Sequence, residues 1–430
     1  MYFIWNVFCF ALEVFMCNLF FKYFIKQKKN IIFLIVIIIL GIVISSISKI
    51  ENKKTNDEYI SSKEETLKNH ESIIKENEEK LSQDNLTKEE IEDLIRERED
   101  FSKLLEDDKV KYEASKNYDW KTLYEIYMEF LKPEKTNSFI AMGLDTIDIH
   151  PLTIEITYET LKYLKDNNIP SAHSLNLQRT EFDQPRTSEE SKYLDDNSKK
   201  TLIGTSHRLW DFFTNNLVLI YTFIIVVTFG ILFSKLEESQ NKTIRFLRIS
   251  GASKFRIVSS GLFTGGILTI ILGLLIPAIF FGIEFLISGS SSFKYPITTY
   301  IVKSDYFSLM SFGYKIVPIS DVLIKSLILF LLYGIFIFLV TSAISTFVKS
   351  SVKSVILSFG LIATLQMFNK WYNPFSYWRV GKIADGSINI LSKTITYSFN
   401  KSCKILVIGI CILTILLICI AFIQERRRNR

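Results

Sequence analysis

The stretch FSKLEESQNKTIRFLRISGASKFRI, Phe233–Ile257, decides how the rest of the chain is read. It stands between two apolar runs, each long enough to cross a bilayer. Six cations (Lys235, Lys242, Arg245, Arg248, Lys254, Arg256) accompany two anions, Glu237 and Glu238, and that excess marks a cytoplasmic loop. Leu236, Ile244 and Leu247 share one face of a short amphipathic helix, with Lys242 and Arg245 beside it. Gly251 breaks this helix and Ser253 is placed to cap the next one. Two readings follow. One is a positively charged anchor whose side chains snorkel to the lipid headgroups. The other is a basic helix lying flat under the membrane, on which a partner subunit pushes.

Working outward, composition bounds the class. Of 430 residues, 48% are hydrophobic and 35 are Phe, which points to an integral membrane protein with a sizeable soluble part. Residues 51–211 hold 24 Lys and Arg against 37 Asp and Glu, a net of −13, and the remainder holds 27 against 8, a net of +19. An acidic soluble domain on a basic membrane body fits exposure outside and anchoring inside. The cations of the remainder flank apolar spans, which argues against nucleic acid as a partner. The five cysteines (Cys9, Cys17, Cys403, Cys411, Cys419) lie in or beside apolar segments, so no disulfide staples the soluble part and no cysteine metal site is expected. The last three read as small apolar packing residues.

Residues 1–30 read as an interfacial helix on the cytoplasmic face, with Lys22, Lys26, Lys28 and Lys29 inside. A first true span over this segment is the alternative. Ile31–Ser48 is an uncharged run of eighteen residues and the first clear span, within a segment bounded at 31–50. Residues 51–212 form an extracytoplasmic, mostly helical domain. Ser62-x-x-Glu65 and Thr87-x-x-Glu90 are capping-box patterns. Leu67, Ile74 and Leu81 on one side, and Ile91, Leu94, Arg98, Phe101 and Leu105 on the other, a seam imperfect at Arg98, predict a coiled-coil-like antiparallel hairpin turning at Ser82–Asn85. A third helix carries Trp120, Leu123, Ile126 and Phe130. A short strand is placed within Ser138–Ile149, a helix over Ile154–Asp166, and a polar loop over 171–200.

Residues 213–430 carry the remaining spans, with the basic loop at 234–257. Leu217–Phe233 is entered through an aromatic belt of Trp210, Phe212 and Phe213. Val258–Ile287 contains Gly261 and Gly265 in a GxxxG, a sign of close helix packing. Its Glu284 is an intramembrane carboxylate and a functional candidate by type, although one turn from the water interface the preferred reading is a solvent-facing side chain. Ser288–Asp321 reads as an outer loop. Val322–Phe347, Ser354–Phe368 and Ile405–Ile423 complete six spans, with the aromatic YNPFSYW, Tyr372–Trp378, before the last. Both termini are placed inside, the C-terminus by ERRRNR. The fold class is therefore an all-α polytopic membrane protein, with six transmembrane helices and a mostly helical extracytoplasmic domain between the first two.

No G-x-x-x-x-G-K-[ST], HExxH or GxSxG pattern is present in the chain. No catalytic residue or metal ligand is assigned, and the chain is not expected to be an enzyme. A basic cytoplasmic helix without an ATP site suggests a membrane subunit driven by a separate ATPase.

The residues that carry a family resemblance are Glu237-Glu238, the run TIRFLRISGASKFRI (Thr243–Ile257), AISTFVKSS (Ala343–Ser351), NPFSYW and FFKYFIKQKKNIIFL (Phe20–Leu34). Together they resemble a type-2 ABC exporter permease. The resemblance implies that the loop is the coupling helix docking on an ABC ATP-binding subunit, which holds the ATP and Mg. Glu237, Glu238, Lys242, Arg245, Phe246, Leu247, Arg248 and Gly251 then form the coupling segment. It also implies a homodimer, or a heterodimer with a related permease, in a bacterial plasma membrane and in contact with its lipid. Efflux of a hydrophobic or amphipathic peptide, drug or lipid is the implied task. The large outer domain departs from smaller members. LRISGASKFRI is also similar to FtsX-like permeases, four-span proteins that transmit ATPase motion outward. A sensory or structural membrane protein without an ATPase is the third reading.

Overall fold

A computed structural model describes residues 28–82, 87–132, 150–173, 175, 178–183, 187–231, 234, 253–348 and 350–428. Of the interfacial helix expected over 1–30, residues 1–27 lie outside this set, as do the strand expected at 138–149 and most of the turn at 82–85. Two compact units emerge. One holds the start of the first helix up to Ser45, Gly204–Phe293 and Thr299–Arg430, and the other holds Ser46–Ile203 with Lys294–Thr298. They are the apolar and the charged unit below.

The first helix, α1, runs unbroken over Lys28–Leu81, 54 residues. A new start at Ser62 does not occur. Ser62 sits inside α1, and its Oγ donates to the Tyr59 carbonyl (3.2 Å). No Gly or Pro interrupts the chain between Gly41 and Leu81, and the S-x-x-E pattern has no force without a break before it, because a mid-helix serine bonds backward to its own helix. Thr87 does form its capping box at the head of α2, Lys88–Lys116. Thr87 Oγ1 accepts from the Glu90 N–H (3.3 Å), and the Thr87 N–H donates to Glu90 Oε2 (2.8 Å). That N–H holds the Glu90 carboxyl below its ordinary range.

The expected antiparallel pairing of α1 and α2 is present. His70 lies 5.4 Å from the Phe101 ring and 3.4 Å from Asp108, and Glu71 pairs with Lys109 at 3.4 Å. The seam is thin: Leu67 is buried, Ile74 and Leu81 are half-buried, and Ile91 is exposed. Helix α3, Trp120–Phe130, is capped by Asp119 and buries Leu123, Tyr124 and Tyr127. Tyr124 donates to the Ile169 carbonyl (2.6 Å), and Tyr59 bonds Tyr127 (2.9 Å). Burial raises all three phenols above the usual tyrosine value, which keeps them protonated.

Helix α4, Pro151–Asp166, buries Leu161 and Leu164 completely. The following segment is not the polar loop expected at 171–200. It carries a helix, α5, Ser188–Asn197, and buries Leu175 and Phe182. The organising group is Asp183, 5% exposed. It accepts from the His150 N–H (3.0 Å), Thr153 Oγ1 (2.8 Å), the Thr180 N–H (2.8 Å) and Thr180 Oγ1 (3.3 Å), which staples the segment to the head of α4. Composition hid this, because a polar residue signals burial only when its partners are known.

Asp183→Ala takes the carboxylate from the Thr180 and His150 N–H groups, while the Thr153 and Thr180 hydroxyls keep their mutual bond (2.7 Å). We expect a loss of about 1–3 kcal/mol in the charged unit, seen as faster hydrogen exchange in peptides over 150–183 of the full chain while 88–116 stays protected. Unchanged exchange at 150–183 would remove Asp183 from the role of staple.

After the start of α1, the apolar unit resumes with a bent pair of helices. Helices α6, Thr205–Thr214, and α7, Leu217–Phe229, meet at 66° across Asn215-Asn216, where Asn215 is extended. Phe212 and Phe213 are buried at 1% and 2% exposure, so they are core rather than an interfacial belt. They meet Phe280 and Phe330 at 5.4–5.6 Å. Then follow α8, Lys254–Ser288, strands β1, Pro296–Val302, and β2, Phe312–Pro318, and helices α9, Ile319–Phe347, and α10, Ser351–Met367. The paired strands are an exception to the all-α reading, and they replace the plain loop expected at 288–321. Their PITTYIV and FGYKIVP carry the β-branched and aromatic residues that suit a strand. Short helices α11, Val380–Ala384, and α12, Ser387–Leu391, precede the last helix, α13, Phe399–Arg428. Tyr377, in the expected interfacial segment, is buried at 1%, while Trp371 and Tyr372 are exposed. Cys411 and Cys419 face outward on α13 rather than packing inward.

Among the described residues, four helices are long and apolar enough to cross a membrane: Asn30–Leu81, Phe255–Ser288, Ile319–Phe347 and Phe399–Arg426. The bent α6–α7 pair makes a fifth if it is one span, and α10 is a shorter apolar helix of 17 residues. Close approaches fall at glycines. A Cβ at Gly265 would lie 2.4 Å from the Phe338 ring, which accords with the packing expected of the GxxxG.

Candidate functional site

All eight residues assigned to the coupling segment, Glu237, Glu238, Lys242, Arg245, Phe246, Leu247, Arg248 and Gly251, lie outside the described residues. What the structure brings together is the frame on either side of them. At the near end, Ser234 is buried and its Oγ donates to Ser351 Oγ at the head of α10 (3.3 Å). One turn earlier, a Cβ on Gly230 would meet Val355 of α10 at 3.1 Å and Thr341 of α9 at 3.4 Å. Thr341, Ser342, Ser345, Ser354 and Ser358 are buried on those two helices. Small side chains let the helix backbones approach closely. The chain entering 235–252 is thus seated against the turn between α9 and α10.

At the far end, Ser253 caps α8 as expected, accepting from the Arg256 N–H (3.2 Å). The Phe255 N–H, another free donor of the first turn, is taken by Glu425 Oε2 of α13 (3.2 Å). Both ends of the basic loop are therefore tied to later parts of the chain. The near end meets α9 and α10, and the far end meets α13. Local sequence shows neither, since the partners are 117 and 170 residues away.

Glu284 behaves differently from its expected solvent-facing placement. Its side chain is 1% exposed and accepts from Arg208 Nε at 2.8 Å, with Arg208 4% exposed. The pair joins α6 to α8. Around it, Gly204–Ser206 docks on the residues after α8: the Ser206 N–H donates to Ser291 Oγ (2.9 Å), and the Ser291 N–H donates to Thr205 Oγ1 (3.2 Å). Arg208 was not singled out by sequence because it precedes the apolar run. The usable signal was a lone cation in α6 among Trp210, Phe212 and Phe213, a setting that demands a partner. Among the described residues, no group of three or more His, Cys, Asp or Glu is placed to hold a metal ion.

Two comparisons found nothing: no curated protein matches, and no solved structure matches. A family model, described as ABC-2 family transporter protein, matches residues 30–369, which runs from the head of α1 to just past α10. With its apolar helices and the frame around its basic loop, the chain belongs to the ABC-2 family of transporter membrane proteins.

Proposed function

We propose that this permease exports a hydrophobic or amphipathic compound, driven by a separate ATP-binding subunit that docks on residues 235–252. ATP and Mg belong to that partner. The observation that carries the reading is the seating of both ends of the loop, Ser234 on Ser351 and Phe255 on Glu425. An anchor needs only charge at the headgroups, whereas a transmitter needs attachments to the helices it moves. Glu237, Glu238, Lys242, Arg245, Phe246, Leu247, Arg248 and Gly251 form the docking segment. On this reading α6–α7 is one bent span and the 17-residue α10 also crosses, which makes six crossings with both termini and the loop on the cytoplasmic side. The charged unit is then outside, and two such chains, identical or related, line the pathway.

The test is co-purification of the full chain with candidate ATPase subunits, comparing wild type with Arg245→Glu/Arg248→Glu at matched membrane levels. Retention falls about tenfold or more if the loop docks. Equal retention of an ATPase by both proteins would move the docking site elsewhere, and no retention by either would favour the sensory or structural reading.

A second reading, transmission of ATPase motion to an outer target, is favoured by one feature. Helix α1 continues without a break from the apolar run into the charged hairpin. Deleting 59–116 abolishes function on that reading and spares export on the first, provided the spans still assemble.

A further inference from the structure

The turn that follows α10 is fastened from within. Asn373 Nδ2 donates to the carbonyls of Leu365 and Phe368, both at 2.7 Å. Ser376 Oγ donates to the Lys370 carbonyl (3.2 Å), and the Tyr377 hydroxyl donates to the Trp371 carbonyl. Ser376 and Tyr377 are buried. With its carbonyls held inward, the turn presents its side chains outward. Met367, Phe368, Trp371 and Tyr372 are exposed, Met367 by 83%, and so is Lys370. A second turn, after α12, comes to the same place. Asn369 Nδ2 donates to Ser392 Oγ (2.7 Å), and Asn369 Oδ1 accepts from the Tyr397 hydroxyl (2.8 Å). This sets the exposed Lys393 beside the turn that carries Lys370.

The two lysines are set out for something. Lys393 holds φ at +47°, a backbone that suits glycine and strains a residue with a Cβ. Such strain is kept at positions where the side chain is used. From 322 to 424, Asp385 is the only acidic residue. It is buried and accepts from the Ser387 N–H (2.8 Å). Among the described residues, neither lysine is ion-paired.

Four partners can be compared. A soluble anion satisfies the lysines and leaves the aromatic and apolar side chains uncovered. A second copy docked here by two-fold symmetry sets the same cations against each other. An acidic protein suits the turn, but the exposed apolar surface does not stop there. It continues along α10 through Val352, Ile356, Leu357 and Leu361. A partner with a long apolar body and an anionic end matches the whole strip. The 17 residues of α10 reach about 25 Å, close to the thickness of a bilayer core, so the turn falls at headgroup depth. Trp and Tyr favour that depth, and lysines there extend to phosphate.

We propose that the turns after α10 and α12 bind an anionic phospholipid. Its headgroup lies on Lys370 and Lys393, its glycerol region against Trp371 and Tyr372, and its acyl chains along Phe368, Met367 and α10. On the six crossings proposed above this is the outer leaflet, and that placement alone rests on the reading. Binding itself needs no ATPase, so failure of the docking experiment and failure of this one are distinguishable.

The experiment uses the full chain in phosphatidylcholine vesicles containing phosphatidylglycerol with a photoreactive diazirine near its glycerol backbone. Labelled peptides are then mapped by mass spectrometry. Label is expected to concentrate on 367–372 and 391–393, and to saturate against unlabelled phosphatidylglycerol. It should exceed that from the matching phosphatidylcholine probe by about fivefold for each lysine engaged. Lys393→Gly removes one cation and relieves the backbone, so it lowers the preference about fivefold in a chain that melts no earlier than wild type. Lys370→Gln/Lys393→Gly erases the preference. Equal labelling by the two lipids, or a preference that survives the double substitution, would overturn the proposal. So would a short amine cross-linker joining Lys370 of one copy to Lys393 of another, which assigns the face to a second copy.

Discussion

Glu284→Ala is expected to destabilise the apolar unit by about 3–5 kcal/mol. The substitution leaves Arg208 charged, 4% exposed and without its carboxylate. Its Nη2 already has no hydrogen-bond partner, so Nε bonding to Glu284 is what holds the guanidinium. Arginine cannot discharge itself by losing a proton. The remaining routes are local hydration or separation of α6 from α8, and both disrupt the Phe212–Phe280 contact beside them. The double variant Arg208→Met/Glu284→Leu should recover most of the loss, because removing both charges also removes their desolvation cost. Thermal unfolding of the detergent-solubilised full chain reads this directly, with both variants beside wild type. If Glu284→Ala melts within a degree or two of wild type, the pair is not a structural tie. If the double variant is stable but transport fails while an ATPase is still retained, the pair serves the transport cycle rather than the fold.

Gly334→Leu should have the second largest effect, about 2–4 kcal/mol, at the upper part of the overpacking range. Tyr221 of α7 is fully buried and donates to the Thr269 carbonyl of α8 (2.8 Å), while its ring lies 4.3 Å from Phe330. It fits between α8 and α9 only because two glycines make room. A Cβ on Gly334 would stand 2.4 Å from its Oη and 2.6 Å from Cε1, and one on Gly273 would stand 2.8 Å from Oη. A leucine there must expel the phenol or part the helices. Tyr221→Phe alone costs less, about 1 kcal/mol, since Thr269 stays in its helix and only one bond is lost. The check is a double-mutant cycle. Gly334→Leu combined with Tyr221→Ala should destabilise less than the sum of the two single changes, because the leucine then fills the vacated space. Strict additivity would show that Tyr221 and Gly334 do not share the constraint.

Much of the architecture follows from one-dimensional pattern. Hydrophobic run length marks the helices at 31–48, 258–287, 322–347 and 405–423, because a bilayer span is a continuous property of neighbouring residues. Thr87 announces its helix for the same reason: cap and partner are three residues apart, and both bonds are made locally. The thin seam of α1 and α2 is legible from the spacing of Leu67, Ile74 and Leu81, and the expected closeness at Gly265 is found against Phe338. Charge alone sets the loop Phe233–Ile257 apart from the apolar runs on either side.

What the tertiary structure decided are the pairings across long separations and the exceptions to local rules. Ser62 carries the same four-residue signature as Thr87 yet caps nothing, because the preceding helix never stops. Arg208 and Glu284 are 76 positions apart, so no local rule could turn an apparently solvent-facing carboxylate into a buried ion pair. Asp183 looked like one more polar residue in a loop until folding surrounded it with Thr153, Thr180 and the head of α4. The reason is common to all three. Sequence spacing encodes what a residue meets within its own helix, while burial and charge pairing depend on which other helix arrives, and that is settled only when the segments pack.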